Sequence, residues 1–454
     1  MGGVRSPVGG HALVLGASIA GLATSATLAD RFERVTLVEA DRPDPGAEGR
    51  HGVPQGRHAH LLLPGGLRAL EALVPGFADR VRRRGGHVIP APEFRFHLGK
   101  GRLALGDDRL AITGATRPLL ESVLRDEVAA LPAVTVLHGH HAEQLVTDDA
   151  RSRVVGARVT PAGGATTAML GADLVVDATG RRSRTAPWLA SIGYRPPQEQ
   201  RIAVGVHYTT RLFRREPTDL GGCRHVAIAA PPGVRHGGLA LAVEGERWLV
   251  TLVGTVGERP PTDLESFVDY ATHLWQPDLG QLVAQAEPIG GAATGGFPAH
   301  RRLRYDRLRR IPEGLVVTGD AVCSLNPVHG QGMSVAALEA QALGEVLDRH
   351  GLDRVGPRAL RRARPTVDAA WTMATGADLQ DPGVEGRRGI GWRTTSRYLR
   401  RALAAATTDA EVADALLAVN GMVRPPTSLF APRLARRVMG PRTERRPGEF
   451  ATLP

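Results

Sequence analysis

Two glycine turns, far apart in the chain and each following an apolar run, constrain this sequence more than any other feature. The first, Gly16-Ala17-Ser18-Ile19-Ala20-Gly21, follows His11-Ala12-Leu13-Val14-Leu15. The second, Gly319-Asp320-Ala321, follows Leu315-Val316-Val317-Thr318 and leads into Pro327-Val328-His329-Gly330-Gln331-Gly332-Met333 and an apolar run through Leu338. An apolar strand that ends in such a turn and opens a helix offers free N–H groups at the helix start, where an anion is favoured. Asp320 adds a carboxylate able to accept from sugar-like hydroxyls. Two such points in one chain imply an extended dinucleotide lying across both, and FAD fits that description. Its pyrophosphate is expected at residues 16–21 and its redox ring near Gly330.

The first segment reads as a strand at 11–15, the turn, a helix at 19–30 and a second strand at 35–38 ending at Glu39. That is one parallel crossover. Gly16 suits the tight turn and Gly21 the close packing of helix on strand, while Ser18 stands where Gly-x-Gly-x-x-Gly has its middle glycine. Glu39, twenty-three residues after Gly16, is placed to accept from ribose hydroxyls, with Ala40 beside it. The bland alternative, a glycine-rich turn that binds nothing, is disfavoured by the strand-helix-strand context.

A chain of 454 residues exceeds what one hydrophobic core usually organises. The pattern predicts an α/β fold with a discontinuous Rossmann-like FAD-binding domain at 11–50, 110–185 and 305–365. Residues 51–109 and 186–304 supply a mainly antiparallel substrate side, and 366–454 form a C-terminal helical region. Within these, 57–84 reads as helical and Arg117-Pro118 opens a helix. Residues 239–243 and 248–253 form a hairpin, Asp263 caps a helix, and Gly332 starts a long one ending near His350. The C-terminal stretches 397–405 and 410–423 are amphipathic, and packing on the domain is favoured over contact with a membrane surface.

The net charge of +11 invites a nucleic-acid reading. The basic residues, however, are almost all arginine, with Lys100 the single lysine, and they are scattered rather than gathered on one element. Nucleic-acid binding is therefore set aside. Cys223 and Cys323 are too few and too far apart for a disulfide framework or a zinc site, and no metal is expected. The apolar run 12–29 is broken by Gly16, Ser18 and Gly21, so it reads as part of the dinucleotide unit rather than as a signal peptide. A cytoplasmic protein with a short lead at residues 1–10 is expected.

At this point the chain resembles the class A flavoprotein monooxygenases, with the fold of para-hydroxybenzoate hydroxylase. The resemblance spans roughly residues 12–350. It rests on the glycine turn, Arg57 in Gln55-Gly56-Arg57-His58, Arg117, the run Asp177-Ala178-Thr179-Gly180-Arg181, and Gly319-Asp320. It implies Arg57 on the FAD pyrophosphate and Arg117 near the ribityl chain. Asp177 and Gly180 would serve FAD and NAD(P)H, and Asp320 the ribityl hydroxyls. Met333 follows Gly332 at the helix start facing the cofactor. Two departures stand out: Asp177 is followed by Ala-Thr-Gly rather than directly by glycine, and Val322-Cys323-Ser324-Leu325-Asn326 replaces the Ala-His segment and proline-rich loop of aromatic hydroxylases. Pro327 with Gly330-Gln331-Gly332 is closer in style to squalene epoxidase and to bacterial epoxidases of polyene precursors of polyethers. The Trp-x-Trp-x-Ile-Pro segment of tryptophan halogenases is absent from the sequence.

The resemblance implies a monooxygenase in which a flavin hydroperoxide passes one oxygen of dioxygen to an apolar small molecule, free or carrier-bound. Epoxidation of an alkene in a polyketide or terpenoid of secondary metabolism is the expected reaction. NAD(P)H would act as reductant, directly or through a separate flavin reductase. Pro327, Gly330, Gln331 and Gly332 form the flavin-ring environment, and no acid-base dyad is assigned. His58, His60 and His329 read first as hydrogen-bonding residues, Cys323 as a small apolar filler, and Arg181, Arg182 and Arg184 as a phosphate grip or a solvated face. The alternatives are a hydroxylase, a geranylgeranyl-reductase-like oxidoreductase, and a non-catalytic dinucleotide-binding accessory protein.

Overall fold

Runs that are apolar on consecutive residues become strands buried on both faces, which a parallel sheet between helices provides. Leu13, Val14, Leu174, Val175, Val176 and Leu315 have no exposed surface. The computed structural model describes residues 6–42, 54–98, 101–164, 166–231 and 233–440. The start of the expected lead (1–5), residues 43–50 at the end of the first FAD segment, 51–53 at the start of the substrate side, and 441–454 of the C-terminal region lie outside the described residues.

In chain order, β1 (Gly9–Leu15), α1 (Ile19–Ala29) and β2 (Phe32–Glu39) form the first crossover. The stretch predicted as helical at 57–84 divides into a short turn at Pro54–Arg57, α2 (Pro64–Leu73) and α3 (Phe77–Arg83). Pro64 can begin a helix but not continue one, and Gly76 at φ +82° ends the run between α2 and α3. Then come α4 (Arg117–Ala129) and β3 (Val134–His138). The antiparallel trio β4 (His140–Thr147), β5 (Val154–Pro161) and β6 (Ala168–Gly171) precedes β7 (Leu174–Asp177). The long strand β8 (Glu199–Arg214), the hairpin β9 (His236–Val243) and β10 (Arg247–Gly254), α5 (Leu264–Thr272) and β11 (Pro288–Leu303) follow. Next are β12 (Leu315–Val317), β13 (Cys323–Ser324), α6 (Gly332–His350) and α7 (Val355–Asp378). The helices α8 (Trp392–Ala405), α9 (Ala410–Asn420) and α10 (Pro432–Met439) end the described chain.

The parallel sheet has the order β12-β7-β1-β2-β3. An eight-stranded sheet runs β13-β11-β8-β10-β9, with short strands at residues 225–228, 94–98 and 101–102 at its far edge. Helix α6 packs on α1, and Leu22 and Leu28 of one share a core with Ala337, Leu343 and Leu347 of the other. In the C-terminal helices Ala402, Val412, Val419, Leu434 and Val438 cluster with Leu103, so their apolar stripes are buried. No helix among the described residues is long and apolar enough to cross a membrane.

Candidate active site

The carboxyl ends of three strands are level. Leu15 pairs with Asp177 and Asp177 with Val317, so Gly16, Ala178 and Thr318 leave the sheet side by side. Ligands of open parallel sheets lie outside such ends where the strand order reverses, and here it reverses at β1. The two glycines of the turn are needed by the fold itself. Gly16 has φ +96°, and a Cβ there would stand 2.7 Å from the Ala178 carbonyl oxygen. At Gly21 a Cβ would stand 1.7 Å from the Gly16 carbonyl oxygen. Glu39 is 7% exposed and grips the turn, its Oε2 accepting from the Ala17 N–H at 2.8 Å and its Oε1 from Asp41 N–H at 2.9 Å. Ala40 beside it is exposed.

Helix α4 delivers Arg117 to the same point. Thr116 caps the helix by accepting from Leu119 N–H. Arg117 Nη2 donates to Ser18 Oγ at 2.8 Å, Ser18 Oγ donates to Glu121 Oε1 at 2.7 Å, and Arg117 Nε donates to the same carboxylate oxygen at 2.9 Å. Ser18 thus does more than narrow the turn: it joins α4 to it. The sequence reading missed Glu121, although its i,i+4 spacing from Arg117 was a usable signal. A Cβ on Gly56 would stand 3.8 Å from Pro118 Cγ, so the turn carrying exposed Arg57 lies beside the start of α4.

Asp320 stands where the motifs meet. A Cβ on Gly319 (φ +64°) would lie 2.9 Å from the Ala20 Cβ, one on Gly180 would lie 3.9 Å from the Asp320 Cβ, and one on Gly332 would lie 3.8 Å from Asp320 Oδ1. Burial pushes the Asp320 carboxyl up, against the opposing pull of the Arg117 and Arg181 guanidiniums. No hydrogen bond among the described residues reaches its oxygens. An acceptor lacking a donor, flanked by two guanidiniums and two glycines, fits the sugar and phosphate groups of FAD. Behind it, Glu339 Oε2 accepts from Gly319 N–H at 2.6 Å and Thr318 Oγ at 3.0 Å, and burial pushes its carboxyl up to about 7.

Asp177 lies at the expected strand end, the carboxyl end of β7. It is fully buried; Oδ1 accepts from the N–H and hydroxyl of Thr179, and Oδ2 from the hydroxyls of Ser183 and Thr185. With both oxygens engaged by its own loop, it shapes the segment carrying Gly180 and Arg181. Arg181 lies over the Phe297 ring at 4.4 Å, and Arg184 over Trp188.

At the expected ring position, Pro327 begins a short turn ending at His329, and Asn326 Oδ1 accepts from Val328 N–H at 3.2 Å. Gly330 takes φ +66° and faces Leu61 and Leu63. Gln331 is 1% exposed with both amide atoms unpartnered, and Met333 is buried behind Gly332. His58 hydrogen-bonds Thr210 Oγ1 at 2.9 Å and His60 the His58 carbonyl at 2.9 Å; burial lowers them to about 4 and about 3. Cys323 is buried and its thiol pushed up by that burial, as suits a filler.

A nucleotide-binding parallel sheet beside a large antiparallel sheet, with glycines and an unpaired carboxylate between them, defines a flavoprotein oxidoreductase architecture. No family model matches the chain. It is 32% identical over 421 residues to Protein Rv3254 of Mycobacterium tuberculosis, covering 89% of this chain and 88% of that protein. It is 27% identical over 376 residues to 6-methylpretetramide 4-monooxygenase of Streptomyces rimosus, covering 79% and 81%. The crystal structure of p-nitrophenol 4-monooxygenase PnpA from Pseudomonas putida shares the fold, with a TM-score of 0.64 over 92% of this chain and 99% of that one at 18% identity. The chain belongs to the same family as Protein Rv3254, and its fold is that of the FAD-dependent monooxygenases.

Proposed function

We propose that this monooxygenase transfers one oxygen atom of dioxygen to an alkene of an apolar polyketide or terpenoid in secondary metabolism, giving an epoxide. FAD supplies the activation of dioxygen. The chain's residues bind and orient it: residues 16–21 at the pyrophosphate with Arg57 and Arg117, Glu39 at the adenosine ribose, and Asp320 at the ribityl hydroxyls. Gly180, Gly319 and Met333 shape the walls, and Pro327, Gly330, Gln331 and Gly332 surround the ring and exclude water.

The observation that carries the epoxidation reading is the apolar neighbourhood of the ring loop, where Leu61 and Leu63 stand against Gly330. An apolar wall suits an alkene, and addition of an electrophilic oxygen to a carbon–carbon double bond takes no proton from the substrate. Burial lowers His58 and His60 to about 4 and about 3, so neither of these two takes up a proton at neutral pH. The squalene-epoxidase style of the Pro327 segment agrees. Use of NAD(P)H as reductant supports a cytoplasmic location.

Hydroxylation is the second reading, favoured by the likeness to 6-methylpretetramide 4-monooxygenase. The test is turnover of candidate polyenes by FAD-loaded protein with NAD(P)H under labelled dioxygen, read by mass spectrometry. An epoxide carrying one labelled oxygen supports the proposal, and a labelled alcohol supports the second reading. Gain of two hydrogens without oxygen overturns both in favour of a reductase.

A further inference from the structure

Asp378 is the last residue of α7, where the helix macrodipole disfavours a carboxylate. Three side chains from other parts of the chain hold it there. His300 Nε2, from β11, lies 2.7 Å from Oδ2, Asn326 Nδ2 donates to the same oxygen at 3.0 Å, and His329 Nε2 lies 2.9 Å from Oδ1. The backbone N–H of Asn326 donates to His300 Nδ1 at 3.2 Å. His300 therefore carries its proton on Nε2 and is a neutral donor, a state that its complete burial favours.

His329 is held differently. Its ring stacks on that of His300 with centroids 6.2 Å apart, and one nitrogen is clamped by Asp378. No hydrogen bond among the described residues reaches the other nitrogen, Nδ1. The residue is 17% exposed at the side chain and immediately precedes Gly330 in the ring loop. The charged and titratable groups around it are Asp378 from α7, His300 from β11, and Arg181, which faces His300 from the loop after β7. Asp378 outweighs burial and raises the His329 imidazole, while the Asp378 carboxyl is held far below the usual range. One ligand atom from each of His300, His329 and Asp378 falls within 4.8 Å of the others. These atoms are already used in hydrogen bonds to one another, which is the arrangement of a charge-held histidine rather than of a metal site.

We propose that His329 is the proton-carrying residue of the flavin-ring site, and that Asp378 is its positioning residue, so that helix α7 governs proton uptake at the ring. The inference rests on reading residues 327–332 as the ring environment. With FAD bound, hydride from NAD(P)H would bring two electrons and one proton. His329 Nδ1 would hold a second proton, taken from solvent, beside the reduced cofactor. Clamping of Nε2 by Asp378 leaves Nδ1 as the position that titrates.

The test uses FAD-loaded protein kept free of oxygen. Nitrogen-15 histidine NMR follows the titration of His329 with the flavin oxidised and reduced, and potentiometry counts protons taken up per two electrons across pH. The expected result is a higher His329 titration midpoint in the reduced state, and a change from one to two protons per two electrons between the two midpoints. His329→Gln is expected to retain FAD and lose the second proton. Asp378→Asn is expected to lower the His329 midpoint in flavin-free protein as well, a readout independent of turnover; if that variant does not fold, His329→Gln decides. Equal midpoints in the two oxidation states, or a second proton that survives His329→Gln, overturn the proposal while leaving the FAD site standing. Failure to take up FAD overturns the ring-site reading and the proposal with it.

Discussion

Gly332 allows a substitution that separates the needs of the fold from those of the ligand. It is the first residue of α6, a position where glycine is a weak choice because it orders more backbone freedom than alanine does. Nothing in the protein calls for it: its φ is not positive, and a Cβ there would meet only Asp320 Oδ1, at an ordinary 3.8 Å. Gly332→Ala is therefore expected to leave flavin-free stability unchanged or to raise it by up to about 0.5 kcal/mol, less than the full glycine cost because the residue is at a helix start. The added methyl group faces the Asp320 carboxylate, where the ribityl chain and ring are to lie. Overpacking of that kind costs roughly 1–3 kcal/mol, which is about a tenfold to hundredfold loss of FAD affinity. Thermal unfolding of the flavin-free variant and titration with FAD by quenching of flavin fluorescence measure the two effects. Unchanged affinity, or a loss of stability of several degrees, would refute the assignment of this glycine to the cofactor.

Gly21→Ala is expected to do the opposite, because the new Cβ would stand 1.7 Å from a backbone carbonyl oxygen. A loss of more than about 3 kcal/mol should appear in urea unfolding, and a variant of native stability would contradict the packing described. Asp320→Ala should keep flavin-free stability within about 1 kcal/mol, since its carboxylate accepts no hydrogen bond among the described residues, yet lose FAD; full flavin occupancy would refute its role. Glu339 is raised to about 7 from 4.5, so between those values the folded state keeps a proton that the unfolded state releases. Its contribution to stability is therefore lost as pH rises through that window, by on the order of 3 kcal/mol. Glu339→Gln should be the more stable protein in urea unfolding at pH 8 and lose its advantage at pH 4; a constant difference between the two would count against this account.

The features legible in the sequence were those whose physical demand is local. A tight turn with a close helix behind it needs Gly16 and Gly21 whatever lies elsewhere, and doubly buried strands need unbroken apolar runs such as 12–15 and 315–317. Asp263 caps α5 by accepting from Ser266 N–H three residues on. The sequence therefore determined the crossover, the hairpin, the long helix after Gly332 and the flavoprotein resemblance. It was less informative at 57–84, where helical composition hid the break at Pro75-Gly76. Tertiary structure alone decided the employment of the polar side chains. Asp177 is at the expected strand end but turned into its own loop, Ser18 is bonded to Arg117 and Glu121, and Asp378, in an arginine-rich helix without a motif, reaches His300 and His329. Hydrogen bonds between distant segments leave no periodicity or spacing to read, because the partner is chosen by where the backbone brings two groups together and not by the residues beside them.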